Sequence, residues 1–138
     1  MDSAEIRRTL LGQHEQIRAH LNGCSVLARR LLGGAPVQGE LDAALTRLRA
    51  DFIEHNIVET ALVRPLLGDA AGRGALLVDR MFEEHVAEHA AFWQMLAGPA
   101  QEVAGRMDDL VDELDAHMAA EERTFLSPQA LHVTTLPR

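Results

Sequence analysis

Tyrosine is absent from this sequence, cysteine and tryptophan occur once each, and basic residues are outnumbered by acidic ones, 13 to 21. A single cysteine excludes an intrachain disulfide framework and any multi-cysteine metal knuckle. The net charge of −8 disfavours attraction to nucleic acid or to an anionic membrane surface, so partners of either class are not expected. Long apolar runs are missing as well. None approaches the ~20 residues of a membrane-spanning helix, and the start, Met1-Asp2-Ser3-Ala4-Glu5, is acidic where a secretory signal is basic. The expectation is a soluble cytoplasmic protein. Strand-like alternation is also lacking; Ala, Leu, Glu, Arg and Gln dominate, all of them good helix formers.

What is present is enough apolar material, 47% of 138 residues, for one core, so the chain reads as a single domain over residues 1–138. Breakers gather at Gly33-Gly34-Ala35-Pro36, between Gly68 and Gly74, and at Gly98-Pro99. They leave four segments and predict helices over roughly 4–32, 40–66, 75–97 and 100–126, with a short C-terminal tail. Short connections between long helices make neighbours antiparallel. The fold expected is therefore all-α, an up-down-up-down four-helix bundle. Ser3 and Gly98-Pro99 read as start signals for the first and last helices, and Pro65 as the stop of the second.

Each segment carries an apolar stripe at helical spacing. The first runs Ile6, Leu10, His14, Ile17, Leu21, Cys24, Ala28, Leu31, and the second Leu41, Leu45, Leu48, Phe52, His55, Glu59, Leu62, Leu66. The third runs Val78, Phe82, His85, His89, Phe92, Leu96, and the fourth Val103, Met107, Leu110, Leu114, His117, Glu121. A bundle needs such stripes, but nothing in packing calls for His and Glu on them. Burying that many ionisable groups uncompensated costs several kcal/mol each, on the order of the penalties for unpaired buried charge, and a bound cation is the simplest compensation.

Three pairs sit four residues apart: His55 with Glu59, His85 with His89, and His117 with Glu121. On a helix each pair stacks on one face and chelates one ion or spans two. With His14 the donors number seven, more than one zinc takes and without the thiolates of structural zinc. Seven suits two metals, with two carboxylates bridging and five imidazoles terminal. Imidazole with carboxylate fits iron, manganese or zinc alike.

Helices two and four repeat a pattern, His55-Asn56-Ile57-Val58-Glu59 with Pro65 beyond it and His117-Met118-Ala119-Ala120-Glu121 with Pro128 beyond it. This spacing, with His14 alone in an apolar first helix, resembles the hemerythrin family and its HHE cation-binding relatives over roughly Leu10 to Pro128. The resemblance implies a hemerythrin-like bundle around two iron ions. One iron would take His85, His89 and His117, the other His14 and His55. Glu59 and Glu121 would bridge them, with an oxo or hydroxo group as a third bridge. The second iron would keep one position open for dioxygen, or for another small diatomic or peroxide ligand. Some family members place the fourth-helix carboxylate five residues after the histidine, where this chain has Glu122. At about 100° per residue Glu121 lies about 40° from His117 and Glu122 about 140° away, so Glu121 is the expected bridge and Glu122 is expected near the surface.

The remaining candidates read as ordinary. His20 is expected at the surface or boundary, His132 in the exposed tail, Cys24 in the core, and Glu15, Glu54, Glu84 and Glu88 mostly in solvent. Phe52, Phe82, Phe92 and Trp93 read as core, with Phe52 and Ile17 close enough in sequence to line the open position. No residue three before a histidine is acidic, which excludes the Glu-x-x-His sites of ferritin-like proteins, and there is no His-Glu-x-x-His and no phosphate-binding glycine loop. A histidine-rich centre with few carboxylates stabilises high-valent iron poorly. It therefore favours reversible dioxygen binding for transport, storage or sensing over the alternative, a di-iron enzyme acting on peroxide or nitric oxide or an iron donor in repair.

Overall fold

The computed structural model describes residues 2–71, 75–124, 126 and 127, with side chains described through residue 62 and again from residue 83. Leu66, Val78 and Phe82 of the expected stripes, and His132, lie outside the residues so described. Five helices are present among the described residues and no strand: α1 (Ser3–Leu32), α2 (Gln38–Ala71), α3 (Ala75–Leu96), α4 (Ala100–Gly105) and α5 (Met107–Arg123). None is long and apolar enough to cross a membrane.

The starts and stops follow local chemistry. Asp2, not Ser3, caps α1: its carboxylate accepts from the Glu5 N–H at 2.8 Å while Glu5 accepts from the Asp2 N–H at 3.0 Å, a reciprocal capping box. At the other end Gly34 takes a φ of 95°, open to glycine without cost, and lets the Ala35 N–H turn back to the Arg30 carbonyl at 2.9 Å.

Two boundaries differ from the sequence expectation. The second helix does not stop at 66 but runs through Pro65 to Ala71. A proline removes one ladder bond and its ring crowds the carbonyl four residues back, at a cost of about 3 kcal/mol, and the good helix formers on both sides carry the helix through. The last helix is not continuous over 100–126. It breaks at Arg106 (φ −104°, ψ 1°) into α4 and α5 and ends at Arg123. The Arg106 guanidinium donates to the Ala97 carbonyl at 2.9 Å, and Arg49 donates to the Leu96 carbonyl from Nε at 3.0 Å. Both cations thus satisfy carbonyls at the C-terminal end of α3, Leu96 its last residue and Ala97 just beyond, where the helix dipole favours positive charge.

The main core fills one end of the helical bundle. Ile17, Leu21, Cys24, Ala28, Leu41, Leu45, Leu48, Phe92, Leu96, Val103, Leu110 and Leu114 interlock there. Ile6, Leu10 and Leu126 are buried outside that cluster. The histidine layer lies past the Ile17, Phe52 and Leu114 positions of the stripes. Trp93, expected inside, is 40% exposed, because Phe92 beside it takes the inward direction and is 5% exposed. Burial pushes the Cys24 thiol up to about 11, so it is an inert apolar filler.

Candidate metal centre

All seven stripe donors meet in one layer. His14 and Glu59 have no exposed surface, and His55, His85, His117 and Glu121 are each buried to more than nine-tenths. His89 is half-buried. The donor atoms form two groups, His85, His89, His117 and Glu121 in one, and His14, His55, Glu59 and Glu121 in the other, with the atoms of each group within 4.8 Å of one another. Four separate helices supply them, α1, α2, α3 and α5, because every stripe turns polar at the same height along the bundle.

The carboxylates divide their oxygens between the two groups. Glu59 Oε2 lies 3.0 Å from His55 Nε2, while its Oε1 contacts His85 Nε2. Glu121 Oε2 lies 3.4 Å from His14 Nε2 and 3.7 Å from His55 Nε2, and its Oε1 lies 2.7 Å from His117 Nε2 and 3.6 Å from His85 Nε2. Two pairs of ring nitrogens also face each other, His14 with His55 and His89 with His117, each Nε2 to Nε2 at 3.1 Å.

A second layer turns the imidazoles inward. His14 Nδ1 donates to Glu122 Oε2 at 2.7 Å, His55 Nδ1 donates to Gln13 Oε1 at 2.8 Å, and His117 Nδ1 donates to Glu88. With Nδ1–H committed outward, Nε2 of each neutral ring presents a lone pair to the centre. The centre is then lined by acceptors. No oxygen of Glu59 or Glu121 accepts an aligned hydrogen bond, although all four are buried. Acceptors converging on acceptors in a dry interior are satisfied by a cation, and this donor set fits one.

Without a cation the same pressure falls on protons. Burial works against charge on His55, yet the Glu121 and Glu59 carboxylates raise it to about 9. Burial likewise opposes charge on His117, and Glu121 and Glu88 still raise it. His89 goes the other way, to about 3, through burial first and then the charge of His85 and His117. Burial alone would raise the Glu121 carboxyl, but His117, His14 and His55 hold it far below the ordinary carboxylate range.

Aromatic rings wall the layer. Phe92 meets His117 edge-on at 5.1 Å between centroids, and His85 stacks on His117 at 4.7 Å. Phe52 packs against His89 at 5.2 Å, so among the imidazoles it is on the three-histidine group that this ring bears.

Sequence reasoning missed the outer partners. Glu122 was expected near the surface and Glu88 in solvent. Glu122 is instead half-buried between His14 and Arg18, the latter at 3.0 Å, and the two together outweigh burial and lower its carboxyl. Glu88 is exposed but bonded to His117. Gln13 drew no notice at all. His20 stands apart from the centre and pairs with Asp51.

Residues 5–127 match the family model for the hemerythrin HHE cation binding domain. No curated protein and no solved structure matches the chain.

Proposed function

The chain belongs to the hemerythrin HHE cation-binding domain family, and from that premise we propose that it is a non-haem di-iron protein that binds dioxygen, or a similar small ligand, reversibly. The observation that carries the reading is the pair of donor groups sharing Glu121, with Glu59 also directed at both. His85, His89 and His117 would hold one ion, His14 and His55 the other, and Glu59 and Glu121 would bridge them. A pair of ferrous ions supplies, when bound, the two electrons and the open coordination position that dioxygen capture needs.

The rest is done by the chain. Glu122, Gln13 and Glu88 hold the rings of His14, His55 and His117 so that their Nε2 atoms face the centre. Phe92 against His117 and Phe52 against His89 hold those rings in place. Five imidazoles against two carboxylates give a centre of low negative charge, which disfavours high-valent iron and so favours release of the ligand unchanged. The domain is read as one unit over residues 1–138 with up-down-up-down helices, acting in the cytoplasm as carrier, store or sensor.

The test is anaerobic reconstitution with ferrous iron, metal analysis, and exposure to air followed by deoxygenation. The expected result is two irons per chain and a visible absorption that comes and goes with dioxygen over repeated cycles. One tightly bound ion per chain would overturn the di-iron reading. Two ions with irreversible bleaching and peroxide turnover would overturn reversible binding in favour of an enzyme.

A further inference from the structure

The two sides of the layer are not equally closed. On the α1–α2 side, His14 is fully buried beneath Glu122 and Arg18, and the small cavity beside Gln13, of about 90 Å³, is lined by Gln16, Asp51 and Glu54 but by neither histidine. Between α3 and α5 a cavity of about 160 Å³ runs from the exposed carboxylates of Glu84 and Glu88 past Ala120 to His85, His117 and Glu121. A neighbouring cavity of about 390 Å³ shares Glu88, His117 and Ala120 with it and adds Ala91, Ala116 and Glu113. Alanines on the facing surfaces leave the groove that larger side chains would fill.

We propose that this groove between α3 and α5 is the path by which divalent cations enter the centre. Glu84 and Glu88 draw the ion from solvent, and His117 and Glu121 receive it. The proposal rests on the metal-centre reading above and adds its direction of loading. Two observations meet here independently. The rim is acidic, and at the floor lies Glu121, 2% exposed, whose Oε1 sits on the His85 and His117 side and accepts no aligned hydrogen bond. Glu88 already touches His117 Nδ1, so a carboxylate that meets solvent also touches a ring of the centre. Charged clefts with low-dielectric walls concentrate counter-ions and raise association rates by about 10-fold or more at low salt. That gain falls away as the Debye length shrinks.

The experiment follows uptake of Co²⁺ by the apo-protein in stopped flow, with final stoichiometry and affinity measured separately. Glu84→Gln/Glu88→Gln is compared with Glu54→Gln/Asp42→Asn, which removes the same charge from exposed positions away from the groove. The expected result is association slowed about tenfold at low salt in the groove variant, with the gap closing at high salt, unchanged stoichiometry, and a control close to wild type. Equal slowing in both variants would reduce the effect to net charge and overturn the path. So would an unchanged association rate with faster release, which would make Glu88 a positioning residue for His117 only. Failure of the wild type to take up any cation would instead overturn the metal centre itself.

Discussion

Replacing Glu122 by alanine tests the second layer without touching a residue that faces the centre. In the folded protein Glu122 accepts from His14 Nδ1 at 2.7 Å and from Arg18 at 3.0 and 3.2 Å, while His14 itself has no exposed surface. Removing the carboxylate strands a buried ring N–H, which costs about 1–3 kcal/mol. The Glu122 side chain is 27% exposed, so water can reach part of the vacated space and the lower half of that range applies. Metal affinity gives a second estimate. Loss of such an outer partner lowers it roughly 10–100-fold, which is about 1.4–2.7 kcal/mol. The expected losses are therefore about 1.5 kcal/mol in stability and, separately, about tenfold in metal affinity. Glu122→Gln keeps an acceptor and loses only the charge, and a charge-assisted bond is roughly twice as strong as a neutral one, so its loss should be about threefold. Urea unfolding of the apo-protein and competition for Co²⁺ with a chelator measure the two quantities. An alanine variant equal to wild type in both, or a glutamine variant weaker than alanine, would refute the orienting role.

Glu121→Gln should cost far more, with loss of one ion per chain by metal analysis and a lower melting temperature, because two cations would then face each other across a weakly screened interior with one anionic bridge removed. Retention of both ions would refute it. The apo-protein should be most stable near pH 6.5. His55 is raised to about 9, so its contribution is complete below about 6.5 and is lost as pH rises through 9. His89 is lowered to about 3, so below about 6.5 the unfolded chain binds the extra proton and stability falls. Urea midpoints across pH 5 to 10 check this, and a flat or steadily rising profile would be inconsistent with it.

The histidine layer was legible because its signal is periodic. His14, His55, His85 and His117 occupy stripe positions whose neighbours are Leu, Ile and Phe, and a polar residue at such a position is conspicuous without any structure. Its outer partners were illegible for the converse reason. Gln13 and Glu88 lie off the stripes among many polar residues, and what distinguishes them is a ring on another helix; Gln13 and His55 are 42 residues apart and Glu122 and His14 are 108 apart. The capping box was within reach, since Asp2-Ser3-Ala4-Glu5 has its spacing, but Ser3 was the nearer-looking cap. Pro65 and Arg106 show the limit of breaker rules. One proline does not end a helix surrounded by good formers, and a helix does break at an arginine whose side chain has a carbonyl to satisfy outside it.

Glu121 belongs to both donor groups, so in a centre of two ions the occupancy of one would be inseparable from the affinity of the other. An ion taken up by His117 and Glu121 would hold and screen the very carboxylate whose Oε2 faces His14. By thermodynamic reciprocity the second ion would alter the first by the same factor. A chain carrying one ion would therefore be a distinct species rather than half of the filled protein. A dissociation constant measured for either group would be a property of the pair.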